Sequence, residues 1–373
     1  MAADDDDEAS CDRPYSLLIS RPTLRVRHSL CRPAEAVLWL LGAVGLIIMI
    51  ATRMPPAWQP SAIMMLARGT ILSTSSNLPV CLLLHGAGMD TETPIEASMR
   101  GYWGPLQERL QWVCSTVVFM YEDTLRVGWE DAALQERVCA LVRDAAAIAL
   151  AGTPAPLVIF SHSLGSLLLA ASLEAGRCTL PAEAAWYSAG APWQGSRAAE
   201  KLPQICSVDR SLGLEGVAAH AASVMLRVLA VRECYCEGDG NGPSPGFYST
   251  RASNEGLPAL ARWQSRLNGS LCGDSAIGLW STDSLGLEAL ADFSAFGEAN
   301  DGAVPTTACH PRGVQVERAH VSPHYTAAVN HYDLACRHGD GLIPWGGDDR
   351  RPCSWYVAMA GRVASTLSPP ASR

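Results

Sequence analysis

The feature that most constrains this chain is a junction. Pro156–Phe160, a short uninterrupted apolar run, passes through Ser161-His162-Ser163-Leu164-Gly165 straight into the apolar stretch Leu164–Leu173. A run of that length without polar interruption suits a strand buried on both faces, and the stretch after it has the length of a helix that begins at once. A buried strand that enters a helix without a loop belongs to a parallel sheet covered by helices.

The same alternation recurs along the chain. Val80–Leu84 reads as a buried strand ending in the glycine-rich turn His85-Gly86-Ala87-Gly88, and Thr116–Met120 reads as a second. Ala132–Ala149 has helical length, with Leu134, Val138, Leu141 and Val142 on one face. Ala184–Ser188 continues the strands, Ala276–Trp280 is strand-like, and Gly313–Glu317 is the expected last strand. The expected fold is α/β, a mostly parallel sheet with helices on both faces, over a catalytic domain at 79–363. Residues 195–270 break the rhythm with the Gly/Pro-rich loop Gly238–Gly246 and the apolar helical piece Val217–Val231. They read either as a lid insertion or as an ordinary helical excursion. Residues 364–373 are expected to be a tail.

Ahead of the domain, residues 36–52 form an uncharged apolar run between Glu35 and Arg53, just long enough to span a bilayer as a helix. Arg13, Arg21, Arg25, Arg27 and Arg32 precede it, so the positive-inside rule places the tail 1–35 in the cytosol. The linker 53–78 and the catalytic domain then lie on the lumenal or extracellular side. A cleaved signal peptide followed by secretion is the competing reading, and a buried core helix is the third. The acidic Asp4–Glu8 run speaks against a mitochondrial presequence. Asn268-Gly269-Ser270 is a glycosylation sequon on the expected lumenal side.

Of the thirteen cysteines, eleven follow the apolar run, which suits an oxidising compartment with several disulfides. Their number is odd, so at least one is free, and Cys81 in an expected core strand is the expected buried thiol. Cys234-Tyr235-Cys236 is too close-spaced and isolated for a structural zinc site. The net charge of −9 without a Lys/Arg cluster in the second half excludes a phosphate-binding face, and with it a nucleic-acid partner. Oligomeric state is not readable from the sequence.

A serine hydroxyl is a poor nucleophile at neutral pH and needs a base, a carboxylate that orients the base, and donors for an oxyanion. Ser163 lies between a buried strand and a helix, where the small residues Ser161 and Gly165 permit the strained turn that projects a nucleophile. Ser161 stands where such turns usually carry glycine. The backbone N–H groups of Leu164 and Ala87 occupy the oxyanion positions. His85 precedes the serine and is read as holding its loop. The base is sought among His220, His310, His320, His324, His331 and His338. His331, beyond the expected last strand, is the best placed, with His320 and His324 as rivals. Asp301, exposed by the turn Asn300-Asp301-Gly302-Ala303-Val304-Pro305, is the expected acid, and Asp283 is the runner-up. A plain Asp-Gly turn is the bland reading of Asp301.

Five blocks appear in order: Leu78–Gly88 with Tyr102-Trp103, Ser161–Gly165, Gly190-Ala191-Pro192-Trp193-Gln194-Gly195-Ser196, Asn300-Asp301-Gly302, and Asn330-His331-Tyr332-Asp333. Together they resemble the secreted bacterial triacylglycerol lipases of the Pseudomonas and Burkholderia type, over roughly residues 78–335. The resemblance implies an α/β-hydrolase fold and a triad completed by Asp301 and His331. It also implies a calcium ion steadying the histidine loop, with Asp333 as a ligand and the second carboxylate open among Asp283, Asp292 and others. The alternative for Asp333 is a surface or helix-capping role. No other cofactor is implied. Ester hydrolysis, of lipid esters beside a membrane anchor, is the expected activity, with Trp193 and the insertion lining an acyl pocket. The alternatives are a thioesterase, an acyltransferase, a lipid-anchor deacylase or a non-catalytic binding protein.

Overall fold

A computed structural model describes residues 78–90, 99–151, 155–206, 235–236, 242–341 and 349–366. The tail 1–35, the apolar run 36–52, nearly all of the linker 53–78, Val217–Val231, Cys234 and residues 367–373 lie outside the described residues.

Six strands form one sheet: β1 (Val80–Leu84), β2 (Thr116–Phe119), β3 (Leu157–His162), β4 (Ala185–Ala189), β5 (Gly269–Gly273) and β6 (His324–Ala327). Their order is β2-β1-β3-β4-β5-β6 and every pairing is parallel. The period-two alternation of a strand divides its residues between two faces. Val80, Leu82, Leu84 and Ile159 pack with helices α1 (Ala132–Leu150) and α2 (Leu164–Glu174). Cys81, Leu83, Val158 and Phe160 pack instead with Trp355, Tyr356 and Met359 of the last long helix, Pro352–Thr366. Both faces are therefore covered, which is why β1, β3 and β4 read as unbroken apolar runs and agree with the α/β expectation. Asp131 caps α1 by accepting the Leu134 N–H at 2.6 Å.

Two sequence expectations for the second half of the sheet are corrected. The strand expected at Ala276–Trp280 lies earlier, at Gly269–Gly273, because the small residues of β5 are fully buried between β4 and β6. Residues 276–280 form a loop instead, turned by Gly278 at φ +55°. The last strand is His324–Ala327 and not Gly313–Glu317. Glu317 makes only a single bridge to Tyr325. Tertiary burial outweighed local propensity at both places.

Among the described residues five disulfides join Cys81 to Cys114, Cys139 to Cys178, Cys206 to Cys236, Cys272 to Cys309, and Cys336 to Cys353. Cys81 is thus no free thiol: its side chain leaves β1 on the face where the chain arrives at Cys114 before β2. The bridges close segments of 17 to 39 residues, each stabilising the fold by about 3–4 kcal/mol on the chain-entropy view. This many bridges is what an oxidising compartment forms. No helix among the described residues is long and apolar enough to cross a membrane.

In the region 195–270, the described residues include helix α3 (Arg197–Cys206), the short helices Pro245–Tyr248 and Leu257–Leu260, and a 3-10 helix at Ala261–Arg266. Cys206–Cys236 ties the end of α3 to the returning chain.

Candidate active site

The turn after β3 is the point from which the site grows. In β3, Ser161 lies level with Leu84 of β1 and Ser188 of β4, so Ser163 emerges at the end of the sheet between the two neighbouring strands. Its backbone sits at φ 51° and ψ −128°. A non-glycine residue so placed costs about 1–3 kcal/mol and persists only where its surroundings enforce it. Gly165 supplies part of that enforcement, because a Cβ there would strike the carbonyl oxygens of His85 and Leu84. Ser161, in the place of the usual glycine, is accommodated by hydrogen bonds from Trp186 Nε1 at 2.8 Å and with Ser166 Oγ at 2.9 Å. The helix α2 is buried over nearly its whole length and anchors the turn from below.

Ser163 Oγ lies 2.9 Å from His331 Nε2, and His331 Nδ1 lies 2.7 Å from Asp301 Oδ2. All three residues are buried. A carboxylate only accepts, so the proton of the neutral imidazole sits on Nδ1 and Nε2 is left to accept from the serine hydroxyl. Asp301 Oδ1 is held by the N–H groups of Ala303 at 3.0 Å and Val304 at 2.7 Å, and its carbonyl accepts the His331 N–H at 2.8 Å. The Asp-Gly turn thus fixes both the acid and the backbone of the base. The rivals stand elsewhere. His320 is paired with Asp349 at 2.7 Å, His324 is bonded to Ser270 at 2.9 Å, and Asp283 faces His338.

On the other side of the serine, Ala87 lines the same cleft, and Leu164 opens helix α2, whose first N–H groups have no intrahelical partner. Gly86 has to be glycine: a Cβ there would come within 2.7 Å of both Ser163 Cβ and the Tyr102 hydroxyl. The Gly86 N–H donates to Tyr102 Oη at 2.6 Å, and Tyr102 Oη lies 2.6 Å from His162 Nδ1. His162 Nε2 lies 3.0 Å from the His331 carbonyl, which can only accept. The hydrogen bonds therefore run one way, from Tyr102 O–H into His162 Nδ1 and from His162 Nε2–H into the His331 carbonyl. Burial, reinforced by nearby His331, drives His162 well below the ordinary histidine value, so it stays neutral. Burial likewise lowers His85 to about 4, and its Nδ1 donates to the Gly86 carbonyl at 2.9 Å. It holds the loop, as read from its place before the serine.

This Tyr102–His162 link between the glycine turn and the base was not found from sequence. His162 stands inside the serine motif, and its neutral, bridging state arises only from the burial that the fold imposes.

A narrow cleft opens at Ser163. Ala198, Ala199 and Leu202 of α3, with Phe247, Leu290 and Val304, give it an apolar wall. Tyr235 and Tyr332, their hydroxyls 2.7 Å apart, form its polar spot. Trp193 is not part of this wall. It packs against Trp186 and lines a second cleft on the other side of the Pro192 turn.

The acids expected to hold calcium do not fit the ion. Asp333 Oδ2 accepts the N–H groups of Leu279 at 2.7 Å and Asn330 at 3.0 Å, and Oδ1 is 2.8 Å from His338 Nδ1. Asp283 Oδ2 is 3.2 Å from His338 Nε2 and 3.3 Å from Arg337 Nε. Calcium needs about six to eight oxygen ligands, whereas these carboxylates are met by N–H donors and cationic side chains. Asp292 lies apart, along another cleft with Asp274 and Glu288. Among the described residues no group of three or more His, Cys, Asp or Glu is placed to hold a metal ion. Asp333 is fully buried and begins a 3-10 turn that its side chain does not cap, so it takes neither the surface nor the capping role. Burial would lower His338, but hydrogen bonds to Asp283 and Asp333 outweigh it and raise the group to about 9.

No protein-family model matches the sequence, and no curated protein matches it. Among solved structures the chain is similar to a Bacillus licheniformis lipase in mature form, at 12% identity over 70% of this chain and 87% of that one, with a TM-score of 0.44. It is similar to a metagenomic carboxyl esterase at 16% identity over 84% of this chain and 82% of that one, TM-score 0.41. It is also similar to a phospholipase from Legionella pneumophila at 15% identity over 62% of this chain and 45% of that one, TM-score 0.39. Likenesses this slight carry no chemistry across, so the reaction rests on the side chains themselves.

Proposed function

We propose that the chain is a serine hydrolase that cleaves carboxylic esters with an apolar acyl group. One observation carries this reading: the Asp301–His331–Ser163 sequence of hydrogen bonds ends on a serine held in a strained turn, at the floor of an apolar cleft. His331 Nε2 takes the Ser163 proton as Oγ attacks the ester carbonyl, and Asp301 stabilises the imidazolium. The N–H groups of Ala87 and Leu164 receive the oxyanion. His331 then returns the proton to the departing alkoxide, leaving an acyl-enzyme. Water, deprotonated by the same histidine, releases the acid and restores the serine.

The apolar wall from α3, Phe247, Leu290 and Val304 supports an aliphatic acyl chain as the substrate feature. A thioester presents the same acyl carbonyl, so rates on both ester types belong in one experiment. Hydrolysis of p-nitrophenyl esters of increasing chain length, with the matching thioesters, is expected to show a chain-length optimum that vanishes in Ser163→Ala. A flat profile indifferent to that substitution would defeat the reading.

Residues 36–52 are proposed as the membrane anchor, with the catalytic domain lumenal or extracellular and Asn268 as its glycan site. The five disulfides support an oxidising compartment, and Asn268 is exposed at the start of β5. Secretion after signal cleavage satisfies the same two observations. A glycosidase-sensitive protein that stays with membranes through alkaline extraction would favour the anchor, and an unglycosylated cytosolic domain would refute the orientation.

A further inference from the structure

We propose that His338 does, from within the chain, what a bound metal ion would do: it clasps Asp283 and Asp333 and so positions the turn that carries His331. The inference rests on the acyl-transfer reading above. Two carboxylates flank one imidazole ring: Asp333 Oδ1 accepts at Nδ1 (2.8 Å) and Asp283 Oδ2 pairs with Nε2 at 3.2 Å. Carboxylates offer no proton, so a hydrogen on each ring nitrogen answers both acids and makes the bridge cationic. The acids are 0% and 4% exposed, so without a cation between them two buried negative charges would face each other.

The clasp bears directly on the base. Asp333 also accepts the N–H of Asn330, the residue before His331, and the N–H of Leu279 on the loop ahead of helix α4 (Thr282–Ser294). Asn330 Nδ2 donates to the Ile277 carbonyl at 3.1 Å, and the Asn330 side-chain oxygen accepts the N–H groups of Tyr332 and Asp333. Asp283 lies in the first turn of α4, with Arg337 Nε 3.3 Å from the carboxylate oxygen that meets His338. The loop at 276–281 and the turn at 330–333 are pressed so closely that a Cβ at Gly278 would strike Asn330 N and the Asp333 carboxylate. The Cys336–Cys353 bridge fixes the chain just before His338. Loss of the clasp is therefore expected to shift His331 relative to Ser163.

The test uses the full chain, with calcium as the probe and both rate and melting temperature as readouts. In the wild type, neither a chelator nor millimolar calcium is expected to move either. His338→Ala opens a space between two buried carboxylates. It is expected to lose on the order of tenfold in kcat with KM little changed, since a small misplacement of a catalytic group is costly. His338→Ala/Asp283→Asn, which also removes one of the two buried charges, is expected to regain part of the melting temperature. A wild type that melts lower or slows with chelator overturns the proposal, even if the variants do not fold. So does a folded His338→Ala with wild-type kcat, or one whose melting temperature the added Asp283→Asn does not raise. The melting arm stands whether or not the chain hydrolyses esters, so failure of the clasp and failure of the hydrolase reading are told apart.

Discussion

Among the described residues two serine–histidine clusters stand out, and they share little beyond that pair. At the first, Ser163 faces His331, which is backed by Asp301. At the second, Ser270 Oγ lies 2.7 Å from His310 Nδ1 and 2.9 Å from His324 Nδ1, able to donate to one and accept from the other. His310 spends its far nitrogen on the Thr326 hydroxyl at 2.8 Å, where a base would need a carboxylate. Ser270 is held inside strand β5, whereas Ser163 is thrust out of a strained turn. Burial lowers His310 to about 3 and lowers His324 as well. Such rings satisfy a core and are poorly suited to accept a proton in a reaction. What separates the two clusters is the acid behind the histidine and the backbone under the serine, and the proposed reaction rests on both.

The largest contrast is expected from deleting each serine in turn. Ser163→Ala is expected to lower kcat by on the order of a millionfold, the scale seen when a triad nucleophile is removed. Ser270→Ala should leave the rate nearly intact while costing about 1–3 kcal/mol of stability, because buried imidazole nitrogens lose their partner. Ester hydrolysis beside urea unfolding separates the two effects, and a slow Ser270→Ala of full stability would break the contrast.

Asp301→Asn comes next. An amide can donate as well as accept, so His331 is no longer held in the tautomer that leaves Nε2 free. A loss of roughly 10⁴ in kcat with little change in melting temperature is expected. A loss below tenfold would mean that Asp301 is only a turn residue.

These two clusters also mark what the sequence made legible. The apolar run before Ser163, its small neighbours, and the Asn-Asp-Gly and Asn-His-Tyr-Asp turns each carry a local signature, and their side chains meet as the chain order suggested. The second half of the sheet carries none: β5 is Gly-Ser-Leu-Cys-Gly, chosen by burial between its neighbours and not by strand propensity. His162 was equally silent, since its role depends on Tyr102, sixty positions earlier in the chain, and on the His331 carbonyl. His338 was silent too: its ring reaches both Asp283 and Asp333 only because the turn after Asp333 folds back.

A smaller effect should come from Tyr102→Phe, which leaves the Gly86 N–H and His162 Nδ1 without their hydroxyl. A stability loss of about 1–3 kcal/mol is expected, with a fall in kcat from a loosened glycine turn, while Tyr102→Phe at Ser270-cluster readouts such as His310 chemical shifts should change nothing. Equal disturbance at both clusters would show that the link is generic packing.

The most diffuse effect concerns pH. His85 and His310 are held neutral at about 4 and about 3 against 6.5 in the unfolded chain. Folded groups with lowered histidine values bind fewer protons than the unfolded chain, so stability is whole above about 6.5 and is lost progressively as pH falls toward those values. The urea midpoint is expected to drop on acidification from about pH 7 to about pH 4, and to drop less in His310→Gln. A midpoint that holds or rises on acidification would contradict the buried neutral state assigned to the second cluster.

The most direct test of the central claim is to let a fluorophosphonate choose between the two serines. Intact-mass and peptide analysis of the folded chain should find a single adduct on Ser163, absent from Ser163→Ala and unaffected by Ser270→Ala. Absence of labelling in folded wild type, or an adduct that persists in Ser163→Ala, would contradict the account.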